Sequence, residues 1–257
     1  MEPTVKSLAR TYSDRVYADP WEKVLDYRRV QQYAAKHPDA GRTRVGNVLE
    51  LPPSRVRGWL NGGQPDPVRG ISTALEHGWL DLKPDSEMTA ALLRLAAHIL
   101  SGGSIDTRYV PTLTPGGPYT VTDLEAVFHA VGVETFTRNA DVSGRPTEVV
   151  ASDGGTVLGR CLVTMGVPHG SKRDIATLPP ALAVVPDAVR REFVIIMLHH
   201  RGVRYEQKAT ISINEQRAPA YRDSLAALIR GVTGEHATAG ERGVVVSAAA
   251  VRELGLA

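Results

Sequence analysis

The sequence repeats itself at a spacing of about 100 residues. "LEAVFHAVG", beginning at Leu124, is answered by "LAALIRGVT", beginning at Leu225, and "HILSGG" at His98 by "MLHHRG" at Met197. Each copy reads as a helix that ends in glycine, then strands, then a second helix. A period of this length marks a structural unit, so the duplication predicts a pseudo-twofold domain with both sheets on one side. The copies are expected over 89–178 and 186–257, within a domain covering 86–257.

The first copy opens with a helix over 89–100 that runs into Gly102-Gly103. Extended segments over 105–113 and 119–121 follow, then the helix "TDLEAVFHAVG", strands over 133–138 and 147–151, and the helix "TVLGRCLVTMG". After the proline-rich "ATLPPALAVVPD" the order returns: helix "AVRREFVIIMLHHRG", strand "VRYEQKATISIN", helix "YRDSLAALIRGVTG", strand "ERGVVVS", helix "AAAVRELGL". The stretch 203–214 alternates. Arg204, Glu206, Lys208, Thr210, Ser212 and Asn214 are polar, while Val203, Tyr205, Ala209, Ile211 and Ile213 are apolar, with Gln207 the exception. Period two predicts one strand with a polar, solvent-facing side and a core side.

Residues 20–82 carry helical spacing only. "DPWEKVLDYRRVQQYAAKH" and "DPVRGISTALEHGWL" both open on Asp-Pro, and "DLKPDSE" reads as a charged linker, so a helical domain is expected over 20–85. Trp21 and Trp79 are expected to anchor its core. Residues 1–19 are expected as an N-terminal arm. Inside this domain, "RTRVGNVLELPPSRVRGWL" has the spacing of a helix-turn-helix. Val45, Leu49, Leu51, Val56 and Trp59 fall where two short helices must bury side chains, and Gly46 falls where they cross. Glu50 stands at the turn, where glycine is usual. Residues 53–61 form the candidate recognition helix, which offers Ser54, Arg55, Arg57 and Asn61 to base edges. Arg42, Arg44 and Arg69 flank it as phosphate contacts.

Composition narrows the function classes. The net charge of +2 is too small to establish nucleic-acid binding by itself, so the clustering of the arginines carries that argument. Cys161 is the only cysteine, which rules out an intrachain disulfide and a cysteine-based zinc site. The apolar run "FVIIML" is far too short to span a membrane, and "MEPTVKSLARTYSDR" lacks the apolar core of a secretory signal. A reducing, cytoplasmic setting is expected.

The glycine-ended helices over 89–103 and 188–202, with the linking "GVPHGSKRDIATLPPAL", make residues 89–257 resemble the LAGLIDADG homing endonucleases and their relatives. The resemblance implies an α+β protein: an all-α helix-turn-helix domain followed by a pseudo-twofold αββαββα repeat domain. It implies two helices packed at the pseudo-dyad and saddle-shaped sheets in the DNA major groove. An acidic residue at the foot of each helix would hold the catalytic metal. Here those positions are Gly102 and Arg201. Glycine offers no side-chain ligand and arginine repels a cation, so no catalytic residue, metal or cofactor is expected.

The expected function is sequence-specific binding of double-stranded DNA by a catalytically inactive relative. Its role would be in transcription or in chromosome or replicon maintenance, and it would associate with the nucleoid. The saddle would contribute Arg108, Thr112, Arg138, Arg201, Arg204, Lys208, Thr210, Ser212 and Asn214. One chain carries both halves, so a monomer is expected over a dimer. The alternatives are an active homing endonuclease with atypical metal ligands and an RNA-binding, maturase-like protein.

Overall fold

The computed structural model describes residues 3–173 and 175–257. The fold is α+β, with many helices and two small antiparallel sheets. The chain divides into two compact units. One is Thr4–Glu76; the other takes in Pro3 and His77–Ala257.

The first unit is helical: α1 (Val5–Ala9), α2 (Pro20–Lys36), α3 (Arg42–Leu49), α4 (Pro53–Leu60) and α5 (Asp66–Glu76). Residues before α2 are part of the packing. Thr4 and Ser7 close a capping box on α1, and Leu8 and Ala9 are fully buried. Gly70 of α5 has no Cβ because the Tyr12 ring lies against it. The Asp19 side chain accepts from Trp21 N at 3.1 Å, and Pro20 at the first helical position needs no donor, so α2 starts there. Val30, Ala40, Val45, Val56 and Trp59 form a shared core under α2, α3 and α4, with the Tyr27 ring edge-on to Trp59 at 5.7 Å. From α2, Gln31 donates to the Trp59 carbonyl at 3.0 Å and Arg29 to the Leu49 carbonyl at 3.3 Å. The ends of α3 and α4 are thereby capped from one helix.

The second unit holds two successive sets of elements. The first is α6 (Glu87–Gly102), β1 (Gly103–Ile105), β2 (Pro111–Leu113), α7 (Val121–His129), β3 (Thr135–Arg138), β4 (Glu148–Ala151) and α8 (Gly155–Thr164). The second is α9 (Asp187–Arg201), β5 (Gly202–Arg204), β6 (Ile211–Asn214), α10 (Pro219–Thr233), β7 (Ala237–Gly240), β8 (Gly243–Val246) and α11 (Ala248–Glu253). The sheets have matching antiparallel orders, β1-β2-β4-β3 and β5-β6-β8-β7. Trp79, expected in the helical domain, belongs to this unit. It is fully buried, its Nε1 donates to the Val131 carbonyl at 2.9 Å, and His77 stacks on it.

Helices α6 and α9 lie side by side. Ser86 caps α6, and every residue from Leu95 to Ser101 is buried, so this helix is enclosed on all sides and not amphipathic. Arg94 grips Glu192 with two hydrogen bonds, at 2.6 and 3.0 Å, and His98 meets His200 further along. Both pairs advance together along the helices, so the two helices run in the same sense and their C-terminal tips lie next to each other.

The stretch 203–214 is not one strand. It folds back between β5 and β6, with Gln207 in the left-handed region at φ 64°. The reversal shifts the alternation. Val203 pairs with Ser212 and Arg204 with Ile211, so Val203 shares the outer face with Ser212, and Arg204 shares the core side with Ile211. Val203 and Tyr205 are exposed, not buried as the single-strand reading requires; Ile211 and Ile213 are in the core. Residues 119–121, expected as extended, instead lead into α7 through a Thr120 capping box.

Candidate nucleic-acid interface

In the helical unit, Gly46 faces the Leu51 carbonyl so closely that a Cβ would lie 2.7 Å from it. Only glycine allows α3 and α4 to cross there. Glu50 takes the left-handed conformation at φ 57°, ψ 38°, and this turns the chain into Leu51 and Pro52. The exposed side of α4 carries Ser54 and Arg57, with Asn61 just past its end. Spacings of three and four put these on one face. Arg42, Arg44 and Arg69 are exposed, with Arg69 paired to Asp66 one turn away.

Arg55, expected to reach DNA bases, is held inside the unit. It is half-buried, its Nη1 donates to the Tyr17 hydroxyl at 2.8 Å, and its guanidinium lies 4.8 Å from the Tyr17 ring centre. That hydroxyl in turn donates to Asp26 at 2.9 Å. Burial, and then the Asp26 carboxylate, push the Tyr17 hydroxyl up to about 12, so it remains a donor at neutral pH. Arg55 therefore joins α4 to the segment before α2.

In the repeat unit, Arg108 is exposed beside Asp106, and Arg138 on the outer strand β3 pairs with Glu148. Exposed pairs of this kind are worth about 0–1 kcal/mol, so they hold the two arginines only weakly. Thr112 is buried in β2, 5% exposed, and its side chain does not reach the surface of the sheet. Arg204 turns to the Leu256 carbonyl, and Lys208 sits over the Tyr205 ring at 5.6 Å in the β5–β6 turn. Thr210 is half-buried at the end of that turn. Ser212 and Asn214 lie on the outer face of the second sheet, where an open groove is also lined by Thr238, Arg242 and Val245.

The helix tips hold the most concentrated chemistry. A Cβ on Gly102 would collide with the ring of His200, so the side-chain space at that tip belongs to the facing helix. His200 Nε2 meets His98 Nδ1 at 2.9 Å, and Tyr119 stacks on His200 and meets His199 Nδ1 at 3.0 Å. Burial first, and then His200 and Arg94, push His98 down to about 3. Burial, then His199 and Lys172, push His200 down to about 4. Both rings are neutral at physiological pH.

Near the same tips is a cationic cluster that sequence reading missed except for Arg201. The Lys172 ammonium donates to the carbonyls of Ile99 and Gly103, and Arg217 donates to that of Leu100. These carbonyls end α6, where the helix dipole is negative. Arg201 Nη2 donates to the Asn214 carbonyl at 3.0 Å, and Arg217 lies 3.1 Å from Glu215 with both residues buried. Lys172 was visible in "GVPHGSK", which the sequence reading treated only as a linker. Arg217 could have been found by aligning the repeats, because it stands where the first copy has glycine.

The residues at the tips do not suit a divalent cation. Gly102 supplies no ligand, and three cationic side chains already occupy the α6 end and its surroundings. Among the described residues, no group of three or more His, Cys, Asp or Glu side chains is placed to hold a metal. Nor, among them, is any helix long and apolar enough to cross a membrane. No protein-family model matches the sequence, and no curated protein matches it.

Proposed function

We propose that this protein binds double-stranded DNA without cutting it, through a helix-turn-helix in the first unit and a LAGLIDADG-like saddle in the second. The observation that carries this reading is the tip of the paired helices. A twice-repeated αββαββα arrangement with matching sheet orders places two helix ends together, and those ends carry Gly102 and Arg201 at the equivalent positions, neither of them acidic. A nuclease of this architecture needs oxygen ligands there to hold metal against phosphate. A cation-rich tip suits phosphate itself. The exposed face formed by Ser54, Arg57 and Asn61 supports the same reading for α4, because a recognition helix presents polar and basic groups to base edges. With both halves of the saddle in one chain, the protein acts as a monomer on the nucleoid, in transcription or in chromosome or replicon maintenance.

Selection from random duplexes by the full chain, followed by incubation of the selected sites with Mg²⁺ or Mn²⁺, tests this. The expected result is an enriched sequence, bound with a steep salt dependence and left intact. Robust double-strand cleavage, or preference for structured RNA over every duplex, would replace the reading.

A further inference from the structure

The two halves of the repeat unit differ at their tips in a consistent way. Helix α6 ends at Gly102 and α9 at Arg201, so these residues occupy equivalent places. Counting on from Leu113 of β2 and Ile213 of β6, which pair with Gly103 and Gly202, Gly117 is the counterpart of Arg217. The contacts agree: Arg217 reaches the Leu100 carbonyl near the end of α6, and Gly117 abuts the His199 carbonyl near the end of α9. The second half therefore has two arginines where the first has two glycines, and neutral histidines fill the glycine side.

The arginines open onto a solvent-accessible cavity lined by Lys172, Arg173, Arg201, Glu215 and Arg217, with Ser171 at its edge. Among the described residues, four cations and one carboxylate line it, a surplus of three positive charges by formal count. Arg217 is 5% exposed, and its Nη1 makes no hydrogen bond although it lies beside Glu215. Glu215 offsets one of these charges from 3.1 Å away, and the cations left without a carboxylate repel one another, which favours an entering anion.

We propose that this cavity is a phosphate site, on the arginine-bearing side of the helix tips only, in which Lys172, Arg201 and Arg217 bind one phosphate group without a metal ion. The tetrahedral oxygens accept from Arg201 and Arg217, and Ser171 and Arg173 close the mouth. The phosphate comes from a nucleic-acid backbone, which rests on the DNA-binding reading above, or from a small free phosphate compound.

The test uses the full chain and inorganic phosphate as the probe, with sodium chloride matched for ionic strength. At phosphate several-fold above its dissociation constant, the melting temperature should rise by about 2–4 °C over the chloride control. Arg201→Gln, which alters a half-exposed residue, should abolish most of that rise while keeping the parent's circular dichroism. Lys172→Gln serves as a second variant. No phosphate-specific rise in the parent, or an equal rise in folded Arg201→Gln and Lys172→Gln, would overturn the proposal. Duplex binding is measured separately. If phosphate binds and no duplex does, the cavity serves a small phosphate compound and the DNA reading fails. If a duplex binds but Arg201→Gln leaves its salt slope unchanged, the cavity takes no backbone phosphate; a slope smaller by about one supports it.

Discussion

His98 Nδ1 and His200 Nε2 lie 2.9 Å apart across the seam between α6 and α9, in a setting that keeps both rings uncharged. The charged groups around them are also basic: Arg94 and Lys172 bear on the pair, and His199 adjoins it. Among the described residues, no carboxylate is among the groups that shift these two rings, and Glu192 of α9 is engaged by Arg94.

Acid should therefore unfold this unit earlier than its carboxylates require. In the unfolded chain both rings protonate near 6.5, whereas in the folded protein they resist until about 4 for His200 and about 3 for His98. The stabilisation is complete above pH 6.5 and falls as the pH drops through that window. The slope is at most about 1.4 kcal/mol per pH unit for each ring, and less for the partly exposed His200. Urea midpoints measured from pH 7 to 4.5 should fall steeply for the parent and less for a His98→Asn, His200→Asn double variant. Equal slopes would place the acid sensitivity elsewhere.

Filling the space at Gly102 should cost stability. The added Cβ of Gly102→Ala meets the His200 ring, which is held by His98 and by the stacked Tyr119. The expected loss is about 1–3 kcal/mol. Adding His200→Ala should recover part of it, giving a measurable coupling in a double-mutant cycle. Gly102→Asp should be at least as destabilised and should still leave plasmid DNA intact in Mg²⁺, since the cations opposite it remain.

The turn between α3 and α4 offers a gain. Glu50 holds a left-handed conformation that glycine adopts without strain. Glu50→Gly should raise the stability of the helical unit by up to about 1 kcal/mol. It also removes an exposed negative charge beside α4, so duplex binding should tighten at low salt. A lower urea midpoint would show that the Glu50 side chain makes a compensating contribution.

Two neighbouring arginines should separate cleanly. Arg57→Ala, at an exposed site, should weaken duplex binding about tenfold or more with little change in melting temperature. Arg55→Ala breaks the link through Tyr17 to Asp26 and should lower the stability of the helical unit by about 1 kcal/mol. Fluorescence anisotropy and thermal melts on both variants decide this; a Arg55→Ala protein that melts like the parent but loses binding would return that residue to the DNA surface.

Features governed by local chemistry were legible in the sequence. Gly46, Val45, Val56 and Trp59 marked the crossing of α3 and α4 because apolar spacing and a missing Cβ leave few options. The repeat was legible for the same reason, since each copy must bury its own sheet. The 203–214 stretch misled because alternation has no sign for a reversal: no proline or glycine marks the turn, and Gln207 takes the left-handed position instead. The Arg55–Tyr17 contact was not legible because Tyr17 lies outside the motif. The residues Lys172 and Arg217 were visible in a motif and in the repeat alignment, but their meeting with carbonyls about 70 and 117 residues away was not, because spacing along a chain is silent about such contacts.

The exchange of glycines for arginines between the halves gives the molecule a polarity that its backbone lacks. A duplicated scaffold with identical ends would sit on a palindrome in either of two orientations at equal free energy. On the proposed reading of a duplex, unlike ends lift that degeneracy and favour one heading along it.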